Sequence, residues 1–474
     1  MTKPQPRPLE LLTPDQMAQA DAAAPGFGVP GPVLMDAAGR AVARAVVQRF
    51  RPCRTLVLAG PGNNGGDGYV AGRLLAQWGW PVTLAALAPP RVGSDAAQAA
   101  ACWTGPSAPF TPEEAARADL VIDAVFGAGL ARDVGGIVAD TLRAARRIVA
   151  VDVPSGLDGA IGQVRGYAPQ ADLTVTFFRL KPGHLLLPGR TLCGDCVLAD
   201  IGMPLAVLPA IAPDTFLNAP GLWTLPALPT EAHKYTRGHV TILGGAEMTG
   251  AARLTAEAAR RIGTGLVTIA AEGRGDIYRM GAPGALVTEA PIGDLLADPR
   301  RTVWVCGPGL GEAAARAALP VLLASGRRIV GDADVFSASA GNPDALIGAS
   351  VLTPHAGEFA RVFGTPTDRL SAARAAARRT GAVVLLKGPD TIIAAPDGRA
   401  AINDQAPPWL ATAGAGDVLA GLIGGLLAQG MANWEAACAA AWLHGRAAMH
   451  AGKGMVVEDL LPALRAAWAD AVDG

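Results

Sequence analysis

Short apolar runs, each too brief for a helix and most of them followed closely by glycine, proline or aspartate, recur along this chain and constrain it more than any other feature. Thr55-Leu-Val-Leu-Ala59 is the first, and Val82 to Ala88, Leu120 to Ala124, Ile148 to Val151 and Leu173 to Phe177 follow, with helical stretches between most of them. Strands of this kind alternating with helices build a mostly parallel sheet covered on both faces, with ligands at the carboxyl ends of the strands. Ahead of the first strand, Leu34, Ala38, Val42, Ala45 and Val46 fall at helical spacing, so Met17 to Phe50 reads as one or two amphipathic helices.

Between about Gly202 and Lys234 the pattern lapses into weakly periodic sequence with prolines at 204, 209, 213, 220, 226 and 229, which marks a domain boundary. A second α/β run follows. Its strands are His239 to Leu243, Leu266 to Ala270, Thr302 to Cys306, Arg328 to Val330, Val351 to Leu352, Val383 to Leu386 and Thr391 to Ala395, and helices close the chain after Gly414. A length of 474 residues suits more than one domain. The reading is two α/β domains, residues 9–215 with a Rossmann-like parallel sheet and residues 225–472 with a second α/β fold.

Composition narrows the function. Only 17% of residues are charged and the formal net charge is −1, so there is no electrostatic footprint for nucleic acid or an anionic membrane, and a small-molecule ligand is expected. The first residues lack the apolar core of a secretory signal, and the longest apolar helices fall short of a bilayer span, so a soluble cytoplasmic protein is expected. Six scattered cysteines form no disulfide framework. Cys193-Gly-Asp-Cys196, without a second pair or a nearby histidine, reads as strand or turn residues.

Two glycine loops carry the chemistry. Gly60-x-Gly62-x-x-Gly65 has the spacing of a dinucleotide fingerprint between a strand and a helix. The next strand, however, ends in Ala-Pro-Pro with no acid for a ribose hydroxyl, and no Lys-Ser or Lys-Thr follows the loop to make a P-loop. Asn63, Asn64 and Asp67 crowd it instead, and Asp123, Asp152 and Ser155 stand at later strand ends. Their oxygens suit a monovalent cation or a general base, against the plain alternative of turn formers and helix caps. In the second half, Gly414-Ala-Gly-Asp417 opens an apolar helix. Its free N–H groups and dipole suit a phosphoryl group, and Asp417 is placed to accept a proton from a substrate hydroxyl. Gly307-Pro-Gly-Leu-Gly311, Leu352-Thr-Pro-His-Ala-Gly-Glu358 and Leu386-Lys-Gly-Pro-Asp-Thr391 also follow or end strands. From these, Glu358 is a candidate for hydrated magnesium, Lys387 or Thr391 for nucleotide phosphates, and His355 for the substrate.

Gly60-Pro-Gly-Asn-Asn-Gly-Gly-Asp-Gly68, Ile122-Asp-Ala-Val-Phe-Gly-Ala-Gly129, Val151-Asp-Val-Pro-Ser-Gly-Leu-Asp158 and Lys181-Pro-Gly-His184 resemble the NAD(P)HX epimerase domain. The resemblance implies that Asn63, Asn64, Gly65, Gly66 and Asp67, with Gly127, Ala128, Gly129, Leu130, Ala131, Arg132 and Asp133, contact a hydrated dinucleotide. It further implies that Asn64, Asp123 and Ser155 coordinate potassium and that Asp152 touches the substrate at the reacting carbon. The family's Gly-Thr-Gly is Gly127-Ala-Gly129 here, one hydroxyl fewer.

The second half resembles the ribokinase-like superfamily and, within it, the ADP-dependent NAD(P)HX dehydratases. The match rests on His233-Lys-Tyr-Thr-Arg-Gly-His-Val240, Gly244-Gly-Ala-Glu-Met-Thr-Gly-Ala251, Gly263-Thr-Gly-Leu-Val-Thr268 and Thr412-Ala-Gly-Ala-Gly-Asp-Val-Leu-Ala-Gly421. It implies that Ala251 or Ala252, Gly309, His355 and Asp417 line the hydrated nicotinamide. It implies that Lys387, Gly388, Pro389, Asp390 and Thr391, with Gly414, Ala415 and Gly416, bind the adenine nucleotide, Pro389 and Asp390 being variable-looking positions. ADP or ATP, magnesium, potassium and a homo-oligomeric state follow as expectations. The order of the two domains is that of a bifunctional repair enzyme. Two other readings are a small-molecule kinase acting on a vitamin precursor and a non-catalytic dinucleotide-binding protein.

Overall fold

The computed structural model describes residues 8–281 and 283–473. Two compact units divide them, Met1–Thr215 and Phe216–Gly474. Among the described residues no helix is long and apolar enough to cross a membrane.

In the first unit, six strands form a wholly parallel sheet in the spatial order Val82–Ala86, Thr55–Ala59, Leu120–Ala124, Ile148–Val151, Leu173–Phe177, Asp195–Ala199. The chain leaves Thr55–Ala59 toward one edge and returns on its other side, so a topological switch lies between Thr55–Ala59 and Leu120–Ala124. A crevice opens at this switch, lined by the loops that leave the two strands. Two helices, Pro14–Ala23 and Gly31–Arg49, occupy the expected helical region; the second buries Leu34, Ala38, Val42, Ala45 and Val46 along one stripe. The edge strand Asp195–Ala199 is half-exposed and contains Cys196, whose surroundings the sequence left open between strand and turn.

Glycine is required where the loops meet. A Cβ on Gly60 would lie 1.9 Å from the Val125 carbonyl oxygen, and one on Gly65 1.9 Å from that of Gly60. A side chain at Gly60 would push the two strand ends apart, and one at Gly65 would break the turn.

The second unit's sheet runs Ala400–Asn403, Thr391–Ala394, Val383–Leu386, Val351–Leu352, Arg328–Gly331, Val303–Cys306, His239–Leu243, Leu266–Ala270, Leu286–Thr288. From Val383–Leu386 onward all pairs are parallel, while Thr391–Ala394 is antiparallel to both neighbours. The helix Ala415–Ala428 is buried on nearly every side. It can sit so deep because glycines face its neighbours. A Cβ on Gly421 would come within 2.2 Å of the Thr255 carbonyl oxygen in the helix Thr249–Arg261, and one on Gly424 within 3.0 Å of Val305 in the sheet. Leu422 and Leu426 are fully buried in this helix, and truncating either to alanine costs about 2–5 kcal/mol.

Candidate functional sites

A cavity of about 760 Å³ occupies the crevice of the first unit. Asn63, Asn64 and Asp67 line it from the helix Asn63–Gln77, and Gly127, Ala128, Gly129 and Leu130 from the loop after Leu120–Ala124. Ala131, Arg132 and Asp133, expected with them, lie exposed beyond the cavity wall, and Gly65 and Gly66 are buried beneath it.

Asp152 stands in the same wall with φ 67°, a left-handed conformation that costs an aspartate energy and needs surrounding support. Its backbone N–H donates to the Val175 carbonyl at 2.8 Å. Its carbonyl faces His184 Nε2 at 2.9 Å. His184 Nδ1 accepts from the Lys181 N–H at 2.9 Å, so Nε2 carries the proton and donates to Asp152. Burial and the Lys181 ammonium push His184 down to about 4, which keeps it in that neutral form.

Three donors converge on the Asp152 carboxylate: the Ala128 N–H on Oδ2 at 3.0 Å, and the Thr176 hydroxyl and Lys181 Nζ on Oδ1 at 2.9 and 2.6 Å. Burial alone would raise this carboxyl. The charge and hydrogen bond of Lys181 prevail, and with His184 and the Ala128 amide they hold it down to about 2. At Asp67 the Lys181 charge is outweighed: burial, then the charges of Asp152 and Asp21, push it well above the usual carboxylate range.

Asp123 is fully buried at the end of its strand. It accepts from the Ser155 hydroxyl at 2.6 Å, the Ser155 N–H at 2.8 Å and the Val125 N–H at 3.3 Å, and burial raises it. The Ser155 oxygen accepts in turn from the Phe126 N–H at 2.8 Å. Asp123 has no ion-pair partner among the described residues. Beside Phe126, a Cβ on Gly127 would sit 3.3 Å from both Asn64 Oδ1 and Asp152 Oδ2, and the buried Asn64 Nδ2 has no hydrogen-bond partner. A buried carboxylate without a counter-charge fits a monovalent cation, to which Asn64 would offer its Oδ1 oxygen.

The second unit gathers Asp332, Glu358, Lys387 and Asp417 at the carboxyl ends of its strands. Gly414, with φ 87°, starts the helix that carries Asp417 in its first turn. Lys387 Nζ donates to Asp332 Oδ1 at 2.7 Å and lies 3.8 Å from Glu358 Oε2. Burial opposes its charge, but Asp332, Glu358 and Asp417 together raise it. A Cβ on Gly416 would stand 3.3 Å from Lys387 Nζ and 3.7 Å from Asp332 Oδ2, so the glycine loop lies directly against this pair. Burial and then Asp332 raise Asp417 to about 6, with Lys387 opposing and Asp334 adding to the shift.

Glu358 has a local task as well. Its Oε2 accepts from the His355 N–H at 2.8 Å, while His355 Nδ1 accepts from the Gly357 and Glu358 N–H groups at 3.0 and 3.2 Å, so the pair cap the helix Ala356–Phe363. Ala251 abuts Gly309, where an added Cβ would lie 2.9 Å from that of Ala251, whereas Ala252 is fully buried in the core. The carboxylate of Asp390 is buried in an ion pair with Arg369, and the Thr391 hydroxyl closes a turn onto the Gly388 carbonyl at 2.7 Å. These two side chains therefore shape the Lys387–Thr391 loop. Among the described residues, no three His, Cys, Asp or Glu side chains are grouped to hold a metal ion.

Sequence reasoning gave no role to Lys181, Thr176 or Asp332. Lys181 and Asp332 are charged residues almost wholly removed from solvent, a property no local pattern displays. Gly331-Asp-Ala-Asp334 after a short apolar run was the only available signal for Asp332.

A family model described as NAD(P)H-hydrate dehydratase matches residues 240–467, and one described as YjeF-related protein N-terminus matches residues 31–183. The chain is 37% identical over 509 aligned positions to the bifunctional NAD(P)H-hydrate repair enzyme Nnr of Moorella thermoacetica, covering 95% of each chain. It is 39% identical over 395 positions to the protein of that name from Mycobacterium tuberculosis H37Rv, covering 81% of this chain and 80% of the relative. Among solved structures, the ADP/ATP-dependent NAD(P)H-hydrate dehydratase of Bacillus subtilis, co-crystallised with ATP and Mg2+, is 28% identical. It covers 52% of this chain and 95% of its own, with a TM-score of 0.45.

Proposed function

This chain belongs to the family of bifunctional NAD(P)H-hydrate repair enzymes, and on that premise we propose that its first unit interconverts the R and S epimers of NAD(P)HX while its second removes water from the S form with ADP or ATP. The observation that carries the reading is a separate acid–base centre in each unit: a carboxylate kept ionised in the crevice of the first, and a proton-accepting aspartate at a glycine-rich helix N-terminus in the second.

In the first unit the nicotinamide ring lies in the crevice beside Asp152. Asn64, Asp123 and Ser155 would hold potassium, which would supply positive charge against the buried Asp123. Asp152 handles a proton at the reacting carbon, held in its strained conformation by His184, Thr176 and Lys181.

Hydroxide is a poor leaving group, so dehydration gains from phosphorylating it first. Asp417 takes the proton of the C6 hydroxyl as the oxygen attacks the terminal phosphoryl group of ADP or ATP. The N–H groups at Gly414, Ala415 and Gly416 receive the charge that develops on it. Lys387 stands at the same loop, balancing Asp332 and Glu358. Phosphate then leaves with the C–O bond electrons, and loss of a C5 proton, assisted by the ring nitrogen, restores the dihydropyridine. Magnesium would arrive with the phosphates and its own waters, Glu358 being the candidate to organise them.

The test mixes the purified chain with both NADHX epimers, ADP, magnesium and potassium, and follows dihydronicotinamide absorbance together with phosphate release. Recovery of both epimers is expected, the second phase disappearing when potassium is replaced by lithium. Recovery of the S form alone would remove the epimerase half of the proposal. A stable phosphorylated product without phosphate release would instead favour a small-molecule kinase.

A further inference from the structure

The helix Pro14–Ala23 turns one face to the crevice of the first unit. Pro14, Met17, Ala18 and Asp21, at positions i, i+3, i+4 and i+7, all line the cavity. Three of the four are apolar or nearly so. The fourth is a carboxylic acid that makes no hydrogen bond or ion pair among the described residues. Asp152 lines the same cavity with three donors on its carboxylate. The charged groups that share the space are Asp67 from the helix Asn63–Gln77, Asp95 from the helix Asp95–Ala101, Asp152 from the loop after Ile148–Val151, and a single cation, Lys181. Lys181 is already committed to Asp152 at 2.6 Å.

A carboxyl that lines the cavity without a protein donor, exposed to solvent and beside a cation already taken, holds a proton more readily than Asp152, whose three donors favour its charged form. We propose that Asp21 is the proton donor of the epimerase unit, acting across the crevice from Asp152. The inference rests on the epimerase reading above and extends it.

The step balances without any further reactant. Asp21 gives its proton to the C6 hydroxyl oxygen, and the C6–O bond breaks with its electron pair leaving as water. The lone pair of the ring nitrogen forms the N1=C6 double bond. Water then adds to the opposite face through an oxygen lone pair, the N1=C6 π pair returns to nitrogen, and Asp152 takes a proton from the new C6 oxygen. That oxonium proton is strongly acidic, so a weakly basic carboxylate suffices. Asp21 regains a proton from solvent and Asp152 loses one to it, closing the cycle with C6 inverted.

Titration supports the choice of Asp21 over Asp67. Burial raises Asp21 to about 6, the Lys181 charge opposing and Asp152 adding to the shift, so it can give and regain a proton near neutral pH. Burial, then the charges of Asp152 and Asp21, push Asp67 well above the usual carboxylate range.

The experiment uses the full chain without nucleotide, measuring conversion of R-NADPHX to the S form by chromatography across pH 5 to 9, for wild type, Asp21→Asn, Asp21→Glu and Asp67→Asn. ADP-dependent dehydration of the S form by each sample is the internal reference, and near-ultraviolet circular dichroism reports folding of the first unit. The proposal expects Asp21→Asn to lower kcat by about 100-fold or more with KM within about threefold, and Asp21→Glu to recover at least a tenth of the rate. The wild-type rate should decline as pH rises above about 6, a limb absent from the residual activity of Asp21→Asn. Wild type that dehydrates but does not epimerise would remove the epimerase reading itself. Wild type that epimerises while Asp21→Asn keeps its rate within about threefold, or a loss that falls on Asp67→Asn alone, would overturn the assignment of Asp21 and leave that reading standing.

Discussion

Asp152 and Asp417 are the same residue type in two α/β units, each at the carboxyl end of a sheet, yet one is held down to about 2 and the other raised to about 6. Both are removed from water, so burial does not separate them. Donors do. Asp152 receives an amide, a hydroxyl and an ammonium directly, whereas the ammonium nearest Asp417 is turned to Asp332 at 2.7 Å and leaves Asp417 to its acidic neighbours. A group that must stay charged needs charge-assisted hydrogen bonds of its own; a group that must take a proton is better left without them.

The largest effect should come from removing the second of these groups. Asp417→Asn should lower dehydration by about 10²–10⁴-fold while R-to-S conversion continues, measured as dihydronicotinamide recovery and by chromatography on the same sample. Unchanged dehydration would end the role assigned to Asp417. The same substitution should stabilise the fold. An acid whose folded pKa lies above its unfolded value weakens the native state at every pH above the folded value, and the cost vanishes below the unfolded one. Thermal melting of Asp417→Asn should therefore show a gain of about 1–3 kcal/mol at pH 8 and almost none at pH 4.

Lys181→Met tests the other side. Lys181 is only 2% exposed and its partner would be left charged without it, so denaturant melts should show a loss of about 3–5 kcal/mol. Whatever epimerase activity remains should acquire an acid limb at higher pH than wild type, because burial would then act on Asp152 with only neutral donors opposing it. An unmoved pH profile would mean that Lys181 does not control Asp152.

A smaller effect is the pH dependence of wild-type dehydration. The base must be ionised, so the rate should climb about tenfold per pH unit toward pH 6 and level off above it. The smallest belongs to Gly127→Ala, whose Cβ would meet Asn64 Oδ1 and Asp152 Oδ2 at 3.3 Å. It should alter stability by only about 1 kcal/mol yet raise KM for epimerisation, leaving dehydration as it was.

The parts of the site that could be read from the sequence are those whose meaning is local. Gly60 to Gly68 and Gly414 to Asp417 are contiguous, and their glycines answer a steric demand set by the turn they make. His355 and Glu358 stood out as candidate ligands in one short stretch, and their capping of a helix supplies another reason for their being there. Asp332 and Asp21 were silent, and Lys181 was quoted in a motif without a role, because nothing near them in the chain tells what they face. Asp332 meets Lys387 across 55 residues, and Lys181 meets Asp152 across 29. The strand Ala400–Asn403 was missed for another reason: its alanines favour a helix in isolation, and only pairing with Thr391–Ala394 makes it extended.

By itself, then, the sequence determined that two α/β units form, because alternating apolar runs and helices admit few other ways to bury that surface, and it determined where each unit's glycine loop lies. The tertiary structure alone decided the charge states on which the chemistry turns. A carboxylate's affinity for a proton depends on which donors and charges reach it through space, and the fold brings those from distant parts of the chain.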